Sequence, residues 1–232
     1  MAAPDHRLRL HEEVLLVGLH DEKGSFQKST TLTFAMGGAI LAELYLQHRL
    51  GFEGEGKKTV ARIEDDTPTG GPILDNALAM VRDARKPPRL NDLAGRFGRM
   101  KNLRGRTADD LVELGVLRRE EGEVLLIFPV TRYPEADPDY EAEINRRLAD
   151  AIFTDDPVDD ARTITLTALL HAAQMLPLVF DRRELKARRE RIEAVAAGDV
   201  AGDAVKAAVQ AMQAAIIAAA AAAATSAAVA SS

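Results

Sequence analysis

The chain has 232 residues, 47% of them hydrophobic, with a mean hydropathy of −0.13, which permits one large domain or two small ones and excludes wholesale disorder. Aromatics make up only 4% and tryptophan is absent, so the core must be Leu, Val, Ile and Ala, a composition suited to helix packing. The absence of cysteine excludes disulfides, cysteine-ligated metal sites and thiol catalysis and agrees with a reducing cytosol, while a net charge of −6 argues against a protein that coats nucleic acid.

Met1 to Arg9 carries no apolar stretch, so no secretory signal is expected. Leu8 to His20 has the pattern of a buried helix, with Leu8, Leu15, Leu16 and Leu19 apolar and Gly18 near its end. Asp21 to Ser25 is a turn. Thr33 to His48 is a strong helix in which Phe34, Leu41, Leu44 and Tyr45 share a face and Gly37-Gly38 permits close packing. Gly51 to Lys58 is expected to be a polar turn, Val60 to Glu64 a short strand, and Asp65 to Pro72 a loop. Helices are predicted over Ile73–Asp83 and Leu90–Phe97. Thr107 is placed as the N-cap of another, with Asp109 and Asp110 in its first turn and Gly115 as its stop. Val116–Val130 has the pattern of a β-hairpin with a charged turn at Arg118–Glu123. Further helices are expected at Glu141–Phe153, Thr163–Phe180, Arg182–Ala196 and Asp203–Ala224. The apolar run Ala214–Ala224 is too short to span a bilayer. The prediction is a mainly α, single-domain helical bundle with one β-hairpin. It occupies 8–224, between a short tail 1–7 and a disordered tail 225–232.

Little in the sequence points to catalysis. His11-Glu12-Glu13 begins like a metalloprotease helix, but Leu15 stands where the second histidine is needed. The glycines of Gly51–Gly56 have no P-loop lysine-serine after them, and no nucleophile elbow is present. The histidines show no ligand spacing, and His171 is expected to be a core residue. Asp65-Asp66 and Asp155-Asp156 are read as helix caps. No catalytic residue, metal or cofactor is called for.

Charge distribution is more telling. From Arg82 to Arg106 nine Lys/Arg face only Asp83 and Asp92, a window of +7 that leaves −13 for the rest of the chain. Such an island suits an anionic partner, or is simply a solvated face. A helix near Thr107 followed by a hairpin resembles the end of a winged-helix domain, with Arg96 to Arg106 on phosphates, though no base-reading helix stands out. Gly95-Arg96-Phe97-Gly98 matches a bare GXXG. If Lys101 and Arg104 lie on one helix they point the same way, with Arg99 and Arg106 close by, and can clamp a phosphomonoester.

The same residues resemble the Golgi phosphoprotein 3 family from about Leu8 to Ala220. Leu8–Leu19 (LRLHEEVLLVGL) is similar to the family's leucine-rich opening. Gly38–Leu50 is similar to its second helix. Asp66-Thr67-Pro68-Thr69-Gly70, with Leu74-Asp75 and Ala77-Leu78, matches its D-x-PTG…LD-x-AL block. Leu111-Val112-Glu113, Gly115-Val116-Leu117, Leu125-Leu126 and Phe128 match its helix-to-hairpin segment. The resemblance implies a non-catalytic, mainly helical peripheral membrane protein. Eukaryotic members bind phosphatidylinositol 4-phosphate and hold glycosyltransferases in the Golgi by their cytosolic tails. The family's lipid pocket maps its later basic pair onto Lys101 and Arg104, with Arg99 and Arg106 beside them. Its early tryptophan falls near Gln27 and its early arginine near Gly37, so both are absent. The membrane-contacting hairpin maps onto Glu120–Thr131 and keeps Leu125, Leu126, Ile127 and Phe128 behind Glu120, Glu121 and Glu123. The Ala/Arg/Asp-rich composition is of a bacterial kind. The resemblance therefore implies a cytoplasmic protein, peripheral at the inner membrane, that takes an anionic phospholipid headgroup of the phosphoinositide kind. Cytosolic tails of membrane enzymes and a homo-oligomeric state are further partners to consider. A nucleic-acid-binding regulator and a protein-binding scaffold are the alternatives, nucleic acid not being preferred.

Overall fold

At the centre lies a helix with no solvent-facing side. The computed structural model describes residues 7–20, 25–26, 30–54, 56–124, 128–202, 205–206 and 209–210. Helix α1 (Leu10–Val17) buries all eight of its residues, its charged ones included. A helix covered all round must be enclosed by other helices. The long α2 (Thr30–Leu46) packs along it, and α5 (Leu103–Glu113), α6 (Pro138–Phe153) and α7 (Ala161–Ala172) complete the enclosure. The mainly α architecture expected from the sequence is the one found.

Burying the charges of α1 requires partners from distant segments. Glu43 of α2 accepts the first helical N–H of α1, Leu10 N, at 2.8 Å. It also accepts from Arg162 of α7 at 3.0 Å and from Gln47 at 2.7 Å. Burial pushes the Glu43 carboxyl up, but Arg162 and these hydrogen bonds outweigh it and leave the pKa below its ordinary value. Glu13 pairs with Arg147 of α6, and burial nonetheless raises its pKa. Glu12 reaches back to Arg9 N at 2.6 Å, closing the start of the helix, and burial raises its pKa too. His11 is fully buried, and among the described residues neither ring nitrogen has a hydrogen-bond partner.

Among the described residues there are three two-stranded antiparallel ladders where one hairpin was expected. β1 (Leu19–His20) pairs with β2 (Ser25–Phe26), and β3 (Leu50–Glu53) with β4 (Val60–Ile63) in the register Leu50↔Ile63. The segment expected to be a Gly-rich turn thus begins as a strand. β5 (Glu120–Val124) pairs with β6 (Phe128–Arg132) from Glu120↔Arg132 to Val124↔Phe128. Of the charged stretch Arg118–Glu123 expected to be the hairpin's turn, Glu120–Glu123 belong to its first strand instead. The connection, Leu125–Ile127, lies outside the described residues, as does the Phe128 side chain.

Helix ends explain the remaining departures. α3 (Pro72–Arg82) begins with proline at its first position, and Asp75 accepts from Thr69 N and Oγ1, each at 2.7 Å. Three of the later helices have aspartate caps, Asp137, Asp160 and Asp181, which accept from Asp139 N, Arg162 N and Arg183 N. The adjacent acids expected to be caps form ion pairs instead: Asp65 with Arg49, Asp66 with Arg82, and Asp155 with Arg188. α7 stops at Ala172, earlier than expected, because Gln174 adopts φ 54° and a 3-10 turn at Leu176–Leu178 follows. A break at Arg188 then separates α8 (Arg182–Ala187) from α9 (Arg189–Ala197). His171, expected in the core, is exposed, and His11 is the enclosed histidine. The tail 225–232 and nearly all of Asp203–Ala224 lie outside the described residues. Among the described residues no helix is long and apolar enough to cross a membrane.

Candidate functional site

α4 (Leu90–Gly98) and α2 cross at almost zero clearance. A Cβ on Gly37 would lie 2.0 Å from the Ala94 carbonyl oxygen and 2.7 Å from Gly98 N, and one on Gly98 would lie 2.3 Å from the Thr33 oxygen. These are backbone contacts that cannot give way, so the two glycines set the helix spacing. That spacing fixes the junction of α4 and α5 against the first turns of α2.

The junction carries the basic residues singled out in the sequence. Arg99 caps α4, Lys101 and Asn102 turn the chain, and Leu103 opens α5. Asn102 is left-handed at φ 50°, and its side chain lies over Gly105, where a Cβ would come within 2.6 Å of it. Lys101 and Arg104 therefore do not share one helix. Lys101 stands exposed on the turn, and Arg104 sits half-buried in the first turn of α5. The N-cap of α5 is Asn102, so Thr107 is an interior, buried residue and Asp109 and Asp110 lie past the first turn. That first turn contains no acidic residue, leaving the positive end of the helix dipole reinforced by cations.

Two of the four cations converge on α2. Arg104 donates to Thr33 Oγ1 at 2.6 Å, and burial lowers its pKa from the ordinary arginine value. The guanidinium carbon of Arg99 lies 5.3 Å from the centroid of the Phe34 ring, a cation–π distance, and Arg99 also donates to the Gly95 carbonyl at 3.4 Å. Arg106 is among the charges that act on Asp110. Burial raises the Asp110 carboxyl, while Arg9 and then Arg106 pull it down. Thr33 and Phe34 are the residues that sequence reasoning missed. Only the apolar period of α2 marked Phe34, and nothing marked its contact with a guanidinium.

A family model described as Golgi phosphoprotein 3 (GPP34) matches residues 10–212. The chain belongs to the Golgi phosphoprotein 3 family. One relative of the family member described here is Vacuolar protein sorting-associated protein 74 of Eremothecium gossypii, 29% identical over 159 residues, which are 61% of this chain and 48% of the relative. The chain thus spans about half the length of that relative.

For a Golgi phosphoprotein 3 chain, the glycine at position 37 has a physical consequence. An arginine there cannot be accommodated at the observed α2–α4 spacing, since even its first side-chain carbon would overlap backbone. Glycine at position 37 is therefore built into the packing of two helices. Gln27, where the tryptophan would fall, lies outside the described residues.

Proposed function

We propose that this chain is a non-catalytic membrane-surface binding protein that takes the phosphoryl group of an anionic phospholipid, of the phosphatidylinositol 4-phosphate kind, at the α4–α5 junction. Lys101 supplies a mobile point charge and Arg104 a planar donor fork. Arg99 adds positive potential from its place against Phe34. Family membership supports a binding role. The observation that carries this reading is the acid-free first turn of α5, flanked by Lys101 and Arg104, where backbone N–H groups and cations would face one anion. The β5–β6 hairpin would bring Leu125, Leu126, Ile127 and Phe128 to the bilayer. Exposed Glu120 and Glu121 lie nearer its base. These glutamates would also oppose a phosphate backbone in a winged-helix arrangement, which lowers the nucleic-acid reading. Vesicle flotation tests the proposal. Neutral phosphatidylcholine vesicles are compared with ones doped with phosphatidylinositol, phosphatidylinositol 4-phosphate or phosphatidylglycerol. Preferential recovery on the phosphomonoester lipid is expected. Equal recovery on phosphatidylglycerol at equal vesicle charge would reduce the site to a diffuse field, and recovery on none would remove the lipid function.

A further inference from the structure

On α7, α8 and α9, away from the α4–α5 junction, lies an open groove of about 600 Å³. That is the size range of small-molecule sites. Its floor is apolar, formed by Leu176, Leu185 and Ile192, with Pro177 at one end. Its rim is basic: Arg182, Lys186 and Arg189 follow one another along α8 and α9. Arg189 is paired with Glu193 at 2.8 Å. Among the described residues no carboxylate forms an ion pair with Arg182 or Lys186, both exposed. The groove wall carries Gln174, held at φ 54° where glycine ordinarily ends a helix. A residue with a long amide side chain in that conformation places a hydrogen-bonding group where glycine would leave nothing. Just past Pro177, Leu178 stands 44% exposed.

We infer that this groove binds a single-chain anionic amphiphile, its carboxylate or phosphate held by Arg182 and Lys186 and its hydrocarbon chain laid over Leu176, Leu185 and Ile192. Charge decides the occupant. A neutral apolar ligand would leave two exposed cations unmatched, and a purely ionic one would make no use of the floor. The chain's own residues 211–232 are rich in alanine and contain no acidic side chain to match the basic rim.

Isothermal titration of the full chain with dodecanoate, kept monomeric at neutral pH, is the test. Dodecyltrimethylammonium has the same tail with the opposite charge, and butanoate has the same head with almost no tail. Saturable binding of dodecanoate near one per chain is expected, with both comparison compounds weaker by at least about tenfold, as loss of a charge-assisted hydrogen bond or of the apolar contact implies. The double change Arg182→Glu, Lys186→Glu should abolish it, and Arg182→Gln, Lys186→Gln should weaken it while keeping length and polarity. Lys101→Gln, Arg104→Gln should leave it within about twofold, since the two sites share no residue. No binding of dodecanoate, equal binding of the cationic detergent, or equal loss in the Lys101/Arg104 variant would each overturn the assignment. Binding only to anionic vesicles, with none to monomeric dodecanoate, would overturn it as well.

Discussion

Acid should weaken this fold in a way that one side chain controls. Burial outweighs the attraction of Glu43 and, with smaller contributions from Arg9 and Arg162, brings the His11 pKa from its ordinary 6.5 to about 3. In the unfolded chain the ring takes a proton as pH falls through 6.5, and in the folded chain it does not. The stabilisation from keeping it neutral is complete above 6.5 and is lost progressively between 6.5 and about 3. Each pH unit in that window removes about 1.4 kcal/mol, so acidification from 6.5 to about 5 costs roughly 2 kcal/mol from this residue alone. Glu12 and Glu13 act in the opposite sense. Their raised pKa values mean that the folded state takes up protons first, so they return stability as pH falls. Glu43, with its lowered pKa, adds to the loss once the pH drops below the ordinary glutamate range. Replacing His11 by leucine isolates the histidine. The ring nitrogens have no hydrogen-bond partner among the described residues, so His11→Leu should match or exceed the parent stability at neutral pH. The variant should also lose the slope that approaches about 1.4 kcal/mol per pH unit once the pH is well below 6.5. Urea unfolding followed by circular dichroism at several pH values measures both quantities. Identical slopes for parent and variant would show that the folded ring is already protonated or hydrogen-bonded, and the reasoning would fail.

Three other outcomes are expected. Gly37→Ala should cost at least about 1–3 kcal/mol in urea unfolding, because the methyl meets the Ala94 carbonyl and Gly98 backbone. Gly37→Arg should cost more and should not create phosphoinositide binding. Glu43→Ala should destabilise by about 3–5 kcal/mol, leaving Arg162 buried without this carboxylate and Leu10 N without its acceptor; Glu43→Leu combined with Arg162→Met should lose clearly less, which a double-mutant cycle would read. Ile127→Glu at the hairpin connection should weaken vesicle binding by about tenfold or more, since one buried aliphatic side chain is worth about 1.5–3 kcal/mol, with no change in the unfolding midpoint.

The amphipathic helices were legible because their apolar period faces a single core. α3 and α6 begin within three residues of where the pattern places them, each opened by proline. β5 was not legible: Glu120, Glu121 and Gly122 are all exposed, so no alternation of buried and exposed residues marks a strand. β3 was hidden by Gly51, which leaves room for Glu64 across the ladder. The burial of His11, Glu12 and Glu13 was invisible for a different reason. Three successive polar residues look like a surface, and Arg147 and Arg162, which compensate two of the buried glutamates, lie 134 and 119 residues from their partners in the chain. At the candidate site the residue types were visible and their arrangement was not. The helical spacing expected of Lys101 and Arg104 is broken by left-handed Asn102, and contact with Thr33 and Phe34 depends on the glycine-set approach of α2 to α4.

The central claim is that the α4–α5 junction forms a site and is not merely part of a charged surface. It is tested most directly by comparing two neutralised pairs on vesicles containing phosphatidylinositol 4-phosphate. Lys101→Gln, Arg104→Gln removes the proposed clamp and keeps a donor for Thr33. Arg85→Gln, Lys86→Gln removes two exposed charges from the same basic window. Diffuse attraction is worth about 1 kcal/mol per cation, so the control pair should lose no more than about thirtyfold in affinity. The account predicts a distinctly larger loss for Lys101 and Arg104, with both variants retaining the parent unfolding midpoint. Equal losses for the two pairs would contradict it.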